Sequence, residues 1–161
     1  MSSNNYLSPL NFRVSIERIP NIEYTAQKVN IPSLSAPNVN TGSPIGALYQ
    51  AGGSITFDDL SLSFIINEDM DNYLEIHKWL TGINTPQSTD QYRKFDTTEN
   101  IKSDIIVTIQ NSHKNSNMRI HYRDCFPISI SDVQLDITTS DIDYPEATVI
   151  FKYNYFTIEK I

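Results

Sequence analysis

The stretch that most limits what this chain can fold into is Ile55 to Leu80, ITFDDLSLSFIINEDMDNYLEIHKWL, where a strand pattern turns into a helical one. Apolar residues fall at Ile55, Phe57, Leu60, Leu62, Phe64 and Ile66, a period of two broken once at Asp58-Asp59, which reads as a bulge or register shift. After Asn67, Glu68 and Asp69 the spacing changes to Met70, Tyr73, Leu74, Ile76, His77 and Leu80, with Trp79 beside them. That is helical spacing, and Gly82 supplies an expected stop. A strand feeding one amphipathic helix needs further strands on either side, and the rest of the chain supplies them.

Residues 1–11 are polar and lack apolar periodicity, so they read as an arm. Phe12, Val14 and Ile16 alternate with polar residues and predict a first strand, and Pro20-Asn21 marks a turn. A second strand is expected through Tyr24, Ala26 and on to Ile31, forming an antiparallel hairpin with the first. From Pro32 to Gly53 the composition shifts to Ser, Pro, Asn and Gly. A structureless loop of that length is uncommon, so the reading is either a long surface loop or an extended hairpin projecting from the body. Ile45, Ala47, Leu48 and Tyr49 are apolar enough to be buried somewhere.

A second long polar connection, about 84–102, has Tyr92 and Phe95 as its large apolar groups. Asp104 to Gln110 is nearly continuous in apolar residues and reads as a strand buried on both faces. A polar turn at His113 to Asn117 precedes a strand with Met118, Ile120 and Tyr122 alternating. A separate strand is expected from Phe126 to Leu135, where Pro127 suits a strand start or edge. After a turn over Thr138 to Pro145, one last strand is expected from Ala147 to Ile158, with Tyr153 and Tyr155 on one face and Phe156 and Ile158 on the other. Apolar residues on both its faces imply cover by the domain or by a neighbouring subunit.

These elements predict one domain over 1–161, mainly β, as an antiparallel β-sandwich or small barrel with one flanking α-helix. A parallel βαβ fold needs more helices than the pattern offers. Nine Tyr, seven Phe and one Trp in 161 residues, with only 19% charged, agree with β structure. A net charge of −7 and a pI near 4.8 exclude ordinary binding to a nucleic-acid backbone, which needs clustered cations. Arg93, Lys94, Arg119 and Arg123 are too dispersed to form such a surface. The opening residues lack a signal-peptide pattern and no apolar run approaches eighteen residues, so a soluble, unprocessed chain with no membrane contact is expected.

Catalytic, cofactor-binding and metal-ligating residues are all expected to be none. His77, His113 and His121 include no pair at the i, i+4 ligand spacing. Glu68, Asp69 and Asp71 are expected in the first turn of the helix, where carboxylates favour the positive end of the helix dipole and cap free amides. Asp58-Asp59 has no calcium-loop frame. Cys125 stands alone, without a C-x-x-C or nucleophile signature, and no P-loop, G-x-S-x-G or G-x-G-x-x-G is present. A hydrolase therefore has nothing to stand on. A carbohydrate- or receptor-binding β-sandwich using Trp79 or the tyrosines as a stacking platform stays open at this level.

The segments NFRVSIERI, ITFDDLSLSFIINEDMDNYLEIHKWLTG, RDCFPISISDVQLDI and EATVIFKYNYF, in this order, resemble the tail tube proteins of contractile-tailed bacteriophages and their relatives in the baseplate and neck. The resemblance covers nearly the whole chain and rests on packing motifs. It implies a structural virion protein of the phage tail, with no enzyme activity and no cofactor, assembled in the host cytoplasm into hexameric rings. Those rings would stack into a tube and meet sheath, baseplate or neck proteins, and DNA would leave through the lumen without specific binding. A tube-like adaptor of the baseplate or neck, as initiator or terminator, is the alternative within the same family. An acidic lumen wall that repels DNA would give the net charge a role.

Overall fold

The computed structural model describes residues 6–94 and 101–161. Residues 1–5 of the expected arm, and Phe95 in the second connection, lie outside them. Strand β1 (Phe12–Ile16) is followed by a short helix, α1 (Ile22–Thr25), and by β2 (Ala26–Val29). The expected β1–β2 hairpin does not form. Pro20 and the Ile19 carbonyl start a helical turn that buries Ile22, and the chain leaves it in another direction. As a result β1 pairs with β8 (Ser103–Gln110), whereas β2 pairs with β7 (Leu60–Ile65).

The Pro32 to Gly53 stretch is the projecting hairpin of the two readings. After β3 (Leu34–Ser35) come β4 (Asn38–Ser43) and β5 (Gly46–Ala51), which among the described residues pair only with each other. Gly46 closes the turn at φ 147°, a backbone region that residues with a Cβ rarely adopt. The break at Asp58-Asp59 is a change of sheet. β6 (Thr56–Phe57) pairs with β3, and β7 enters the main sheet after it. The Asp58 carbonyl accepts the Tyr153 hydroxyl at 2.7 Å, and Lys152 Nζ reaches Asp59 Oδ1 at 2.5 Å, so both residues of the break are tied to the end of β10 (Glu146–Lys152).

The central helix, α2 (Asp71–Asn84), runs through Gly82, which is buried inside it and does not stop it. Its buried stripe is Asn72, Ile76, Trp79 and Gly82, while Leu74 and His77 face outward. The expected stripe of Met70, Tyr73, Leu74, Ile76, His77 and Leu80 does not include Asn72, which is buried with its polar atoms bonded. A further short helix, α3 (Thr89–Lys94), lies in the second long connection, so the described residues hold one long helix and two short ones.

The two strands expected between Met118 and Leu135 are one, β9 (Ser116–Ile130), fifteen residues long. Its first half lies between β8 and β11 (Tyr155–Lys160), and its second half pairs with β10. Asp124, at φ 56°, marks the passage between the halves. Conversely the expected last strand is two, β10 and β11, parted at Tyr153-Asn154. The break shifts the phase, so that Phe151 and Phe156 point inward and Tyr155 and Ile158 outward.

The resulting seven-stranded antiparallel sheet runs β1-β8-β9-β10-β7-β2, with β11 beside β9. Val14 and Ile16 of β1, Leu60, Leu62 and Phe64 of β7, Ile105 and Val107 of β8, Tyr122 of β9, and Val149 and Phe151 of β10 share one core with Ile76 and Trp79 of α2. Each such side chain contributes about 1.5–3 kcal/mol on burial. β8 alternates buried and half-buried residues, so it is fully buried on one face only. Tyr122, Tyr153, Phe156 and Phe57 pack as a second, aromatic cluster with ring centroids 5.1–6.1 Å apart.

Candidate assembly interface

The residues that carry most chemistry in the sequence are spent on the fold. His121 Nε2 lies 3.1 Å from Asp104 Oδ2, and Arg123 Nη1 donates to the same oxygen at 2.9 Å. The Asp124 backbone N–H donates to Asp104 Oδ1 at 3.1 Å. Burial alone would raise the Asp104 carboxyl, but the Asp124 N–H, the Arg123 guanidinium and the charges of Arg123 and His121 outweigh it and hold it below the usual carboxylate range. Cys125, the next residue on β9, is buried, and burial chiefly, with the charges of Asp104 and Asp124, pushes its thiol up to about 12.

His77 is exposed on α2 and His113 sits in the β8–β9 turn, so the structure does not bring the three histidines together. Among the described residues no group of three His, Cys, Asp or Glu is placed to hold a metal ion. Nor do the acids before α2 cap it. Met70 occupies the N-cap position at φ 56° without a side-chain bond, and only Asp71 lies in the first turn. The work falls to buried Asn72. Its amide donates to the Ile65 carbonyl at 2.8 Å and Thr25 Oγ1 at 3.1 Å, and its oxygen accepts from the Asn67 and Tyr73 N–H groups. Asp58 is bonded instead to Ser33.

Trp79 is 1% exposed and donates its indole N–H to the Ile101 carbonyl at 2.8 Å. It packs on Phe151 and carries the Arg18 guanidinium 5.2 Å above its ring, so it offers no platform for a sugar. No helix among the described residues is long and apolar enough to cross a membrane.

What remains uncovered is apolar surface and strand edge. Ile45 at the tip of the β4–β5 hairpin is 99% exposed, and Val39, Leu48 and Tyr49 are exposed along it. The burial that these side chains invite is therefore absent within one copy. Gly53, at φ 108°, lies so close to Pro37 that a Cβ there would collide with the proline ring, which fixes the base of the hairpin. β1 and β2 end the sheet, and β11 forms a third edge with Tyr155 and Ile158 exposed. Unpaired edges of this kind are templates for pairing with another chain. An apolar hollow of ≈ 310 Å³ lies among Leu7, Phe12, Val29, Ile31 and Val107, bordered by both end strands.

These features define an open antiparallel β protein that leaves its strand edges and an apolar hairpin uncovered and spends its polar clusters on structure. The chain belongs to the phage tail tube protein family, whose profile matches residues 5–159. It is 25% identical over 146 residues to the tail tube terminator protein of Enterobacteria phage T4, an alignment that takes in 84% of this chain and 77% of that protein. Among solved structures it is similar to the tube terminating cap of the anti-feeding prophage, with a TM-score of 0.71, 12% identity and coverage of 100% and 95% of the two chains. It is likewise similar to the sheath/tube terminator of an extracellular contractile injection system, with a TM-score of 0.70, 17% identity and coverage of 98% and 99%. At these identities the likeness to the solved structures is one of fold.

Proposed function

We propose that this chain is a structural subunit of a phage tail that forms hexameric rings coaxial with the tail tube and occupies the terminator position at its end. The observation that carries this reading is the alignment with the T4 tube terminator across 84% of the chain. The uncovered edges β1, β2 and β11 and the β4–β5 hairpin supply the contacts such a ring needs, because a ring closes only through two different surfaces on each copy. The subunit acts as a single folded unit, performs no catalysis and uses no cofactor. It assembles in the host cytoplasm, joins neighbouring tail proteins in the virion, and lets DNA pass through its lumen unbound. The formal charge of −7 supports the last point, since like charge keeps duplex DNA from adhering to the wall.

The second reading, a main tube subunit, is favoured by the family match itself. Negative-stain imaging and native mass measurement of the purified chain separate the two. Six-fold rings that stay single, or that cap preformed tubes, support the terminator role. Rings that stack without limit favour the main tube. A chain that stays monomeric at high concentration and also in the presence of tail tubes overturns both.

A further inference from the structure

Exposed apolar side chains and an excess of acid come together at one end of the molecule. The stretch from 131 to 145, between β9 and β10, leaves Leu135, Ile137, Ile142 and Tyr144 from 68% to 102% exposed. One copy does not bury them, and large apolar groups gathered on one loop mark a surface that meets a partner. Asp132, Asp136 and Asp143 of the same stretch line a hollow of ≈ 720 Å³ together with Glu146 at the start of β10. The turn into α2 adjoins it, because the Ile66 N–H donates to the Pro145 carbonyl at 3.0 Å and Ile65 stands opposite Glu146 in the β7–β10 pair. That turn adds Glu68, Asp69 and Asp71, all exposed.

The charge of this end selects what can cover the apolar groups. No Lys or Arg stands between Lys28 and Lys78 or between Arg123 and Lys152, so both segments that build it are free of cations. Among the described residues its one ion pair is Lys28 Nζ with Glu146 Oε2 at 3.6 Å. With Asp141, eight of the chain's 19 acids lie here against that one cation, which accounts for the whole net charge of −7. DNA phosphate and anionic lipid carry the same sign and are repelled. A second copy offers no surplus of cations, since its other 11 acids balance its other 11 Lys and Arg residues. Of these, Arg13, Arg123 and Lys152 already pair with acids of their own chain.

We propose that the 131–145 loop and the turn before α2 form the docking face for a protein of different sequence, one that presents Lys or Arg beside apolar side chains. Burial of Ile137, Ile142 and their apolar neighbours supplies the affinity, and the opposed charges set the rate of approach and the orientation. The docking face rests on the reading of the chain as a tail subunit, and it gives one of the neighbours in the tail a basic, part-apolar surface.

The test uses tails of the phage that encodes the chain, in which a carbodiimide couples contacting carboxylate and Lys side chains and mass spectrometry identifies the linked peptides. Links from the carboxylates of this end to lysines of another tail protein are expected. Asp141→Lys with Asp143→Lys, which leaves the turn that Asp136 makes with Thr138 in place, is expected to lower incorporation into tails by about tenfold or more at an unchanged melting temperature. Rings of the purified variant still form. Ile137→Ser with Ile142→Ser gives the same split, and added salt weakens attachment of the wild type. If the reversal lowers the melting temperature, Asp141→Asn with Asp143→Asn gives a smaller loss of the same sign. Tails that take up every variant as well as the wild type overturn the docking face and leave the ring reading standing. Links to lysines of a second copy, or rings lost together with incorporation, make this end a contact between copies and also overturn it. A wild-type chain that forms no rings removes the ring reading alone, because coupling and incorporation still decide the docking face. A wild-type chain absent from tails removes the tail reading and the docking face together.

Discussion

Asp104 on β8 holds the backbone of Asp124 on β9, its Oδ1 accepting the Asp124 N–H at 3.1 Å at the residue where β9 leaves one set of partners for another. Asp124 is in the left-handed region, which Asp tolerates better than most residues. Its side chain then accepts from Asn154, at the break between β10 and β11, at 2.6 Å. One carboxylate on β8 thus helps set the path of β9, and through it the start of β11.

Asp104→Ala is expected to lower stability by about 1–3 kcal/mol, the range for losing bonds to a charged, part-buried group. Because the folded Asp104 carboxyl titrates below its unfolded value near 3.9, its contribution is present above that pH and is lost as pH falls through the folded value. Urea titrations of wild type and variant are therefore expected to differ fully at pH 7 and to converge as the pH falls through the lowered folded value. A difference that persists unchanged in acid rules out the carboxylate as its source.

Asn72 is buried between the end of β7 and the start of α2, with both of its polar atoms bonded. Asn72→Leu leaves the Ile65 carbonyl without the amide that now donates to it, and a loss of about 2–4 kcal/mol is expected from the unmet group and the altered packing. Glu68→Gln and Asp69→Asn, on exposed residues that do not cap the helix, are expected to stay within about 0.5 kcal/mol. Urea midpoints for the three variants check both halves, and a larger effect at Glu68 or Asp69 returns the capping role to the carboxylates.

Met70 enters α2 at φ 56°, where a side chain with a Cβ carries a penalty of roughly 1–2 kcal/mol. Met70→Gly removes that penalty but adds freedom to the unfolded chain. The net expectation is a gain of about 0.5–1 kcal/mol, seen as a higher urea midpoint at unchanged slope.

The parts of this fold that were legible in the sequence are those where period and burial agree. The alternation at Leu60, Leu62 and Phe64 and the helix carrying Ile76 and Trp79 lie where the pattern puts them. Misreadings cluster where one side chain acts against its type. Asn72 is polar and buried, so the helix face was rotated, and Gly82 packs inside the helix it was expected to end. Asp124 carries β9 onward, so one long strand read as two. The Tyr153-Asn154 break splits another that read as one. Pairing partners such as β1 with β8 depend on contacts about a hundred residues apart, which local periodicity does not encode. The uncovered hairpin is visible in the sequence only as apolar residues in Pro/Gly-rich surroundings, at Ile45, Leu48 and Tyr49.

Cys125 is buried on β9 with its thiol pushed up to about 12. At pH 8 the thiolate fraction in the folded chain is then on the order of 10⁻⁴, and access is closed as well. Folded protein is expected to leave a thiol-reactive chromophore essentially unreacted over an hour, and guanidinium-unfolded protein to take up one equivalent at once. Rapid native labelling would show that β9 opens locally around this residue.

The β4–β5 hairpin stands apart from the main sheet, with Ile45 and Leu48 in solvent. Replacing both by Ser removes apolar surface that one copy never buries, so its stability is expected to change by less than about 0.5 kcal/mol. Any partner that covers them loses roughly 2–4 kcal/mol on the transfer scale, enough to raise the concentration for assembly by tens to hundreds of times. The paired measurement is therefore a melting curve and a sedimentation series on the same double variant. An unchanged melt with lost assembly assigns the hairpin to contact between subunits. A lowered melt with assembly intact means that the hairpin packs on its own chain, and that its exposed apolar groups are not what joins the copies.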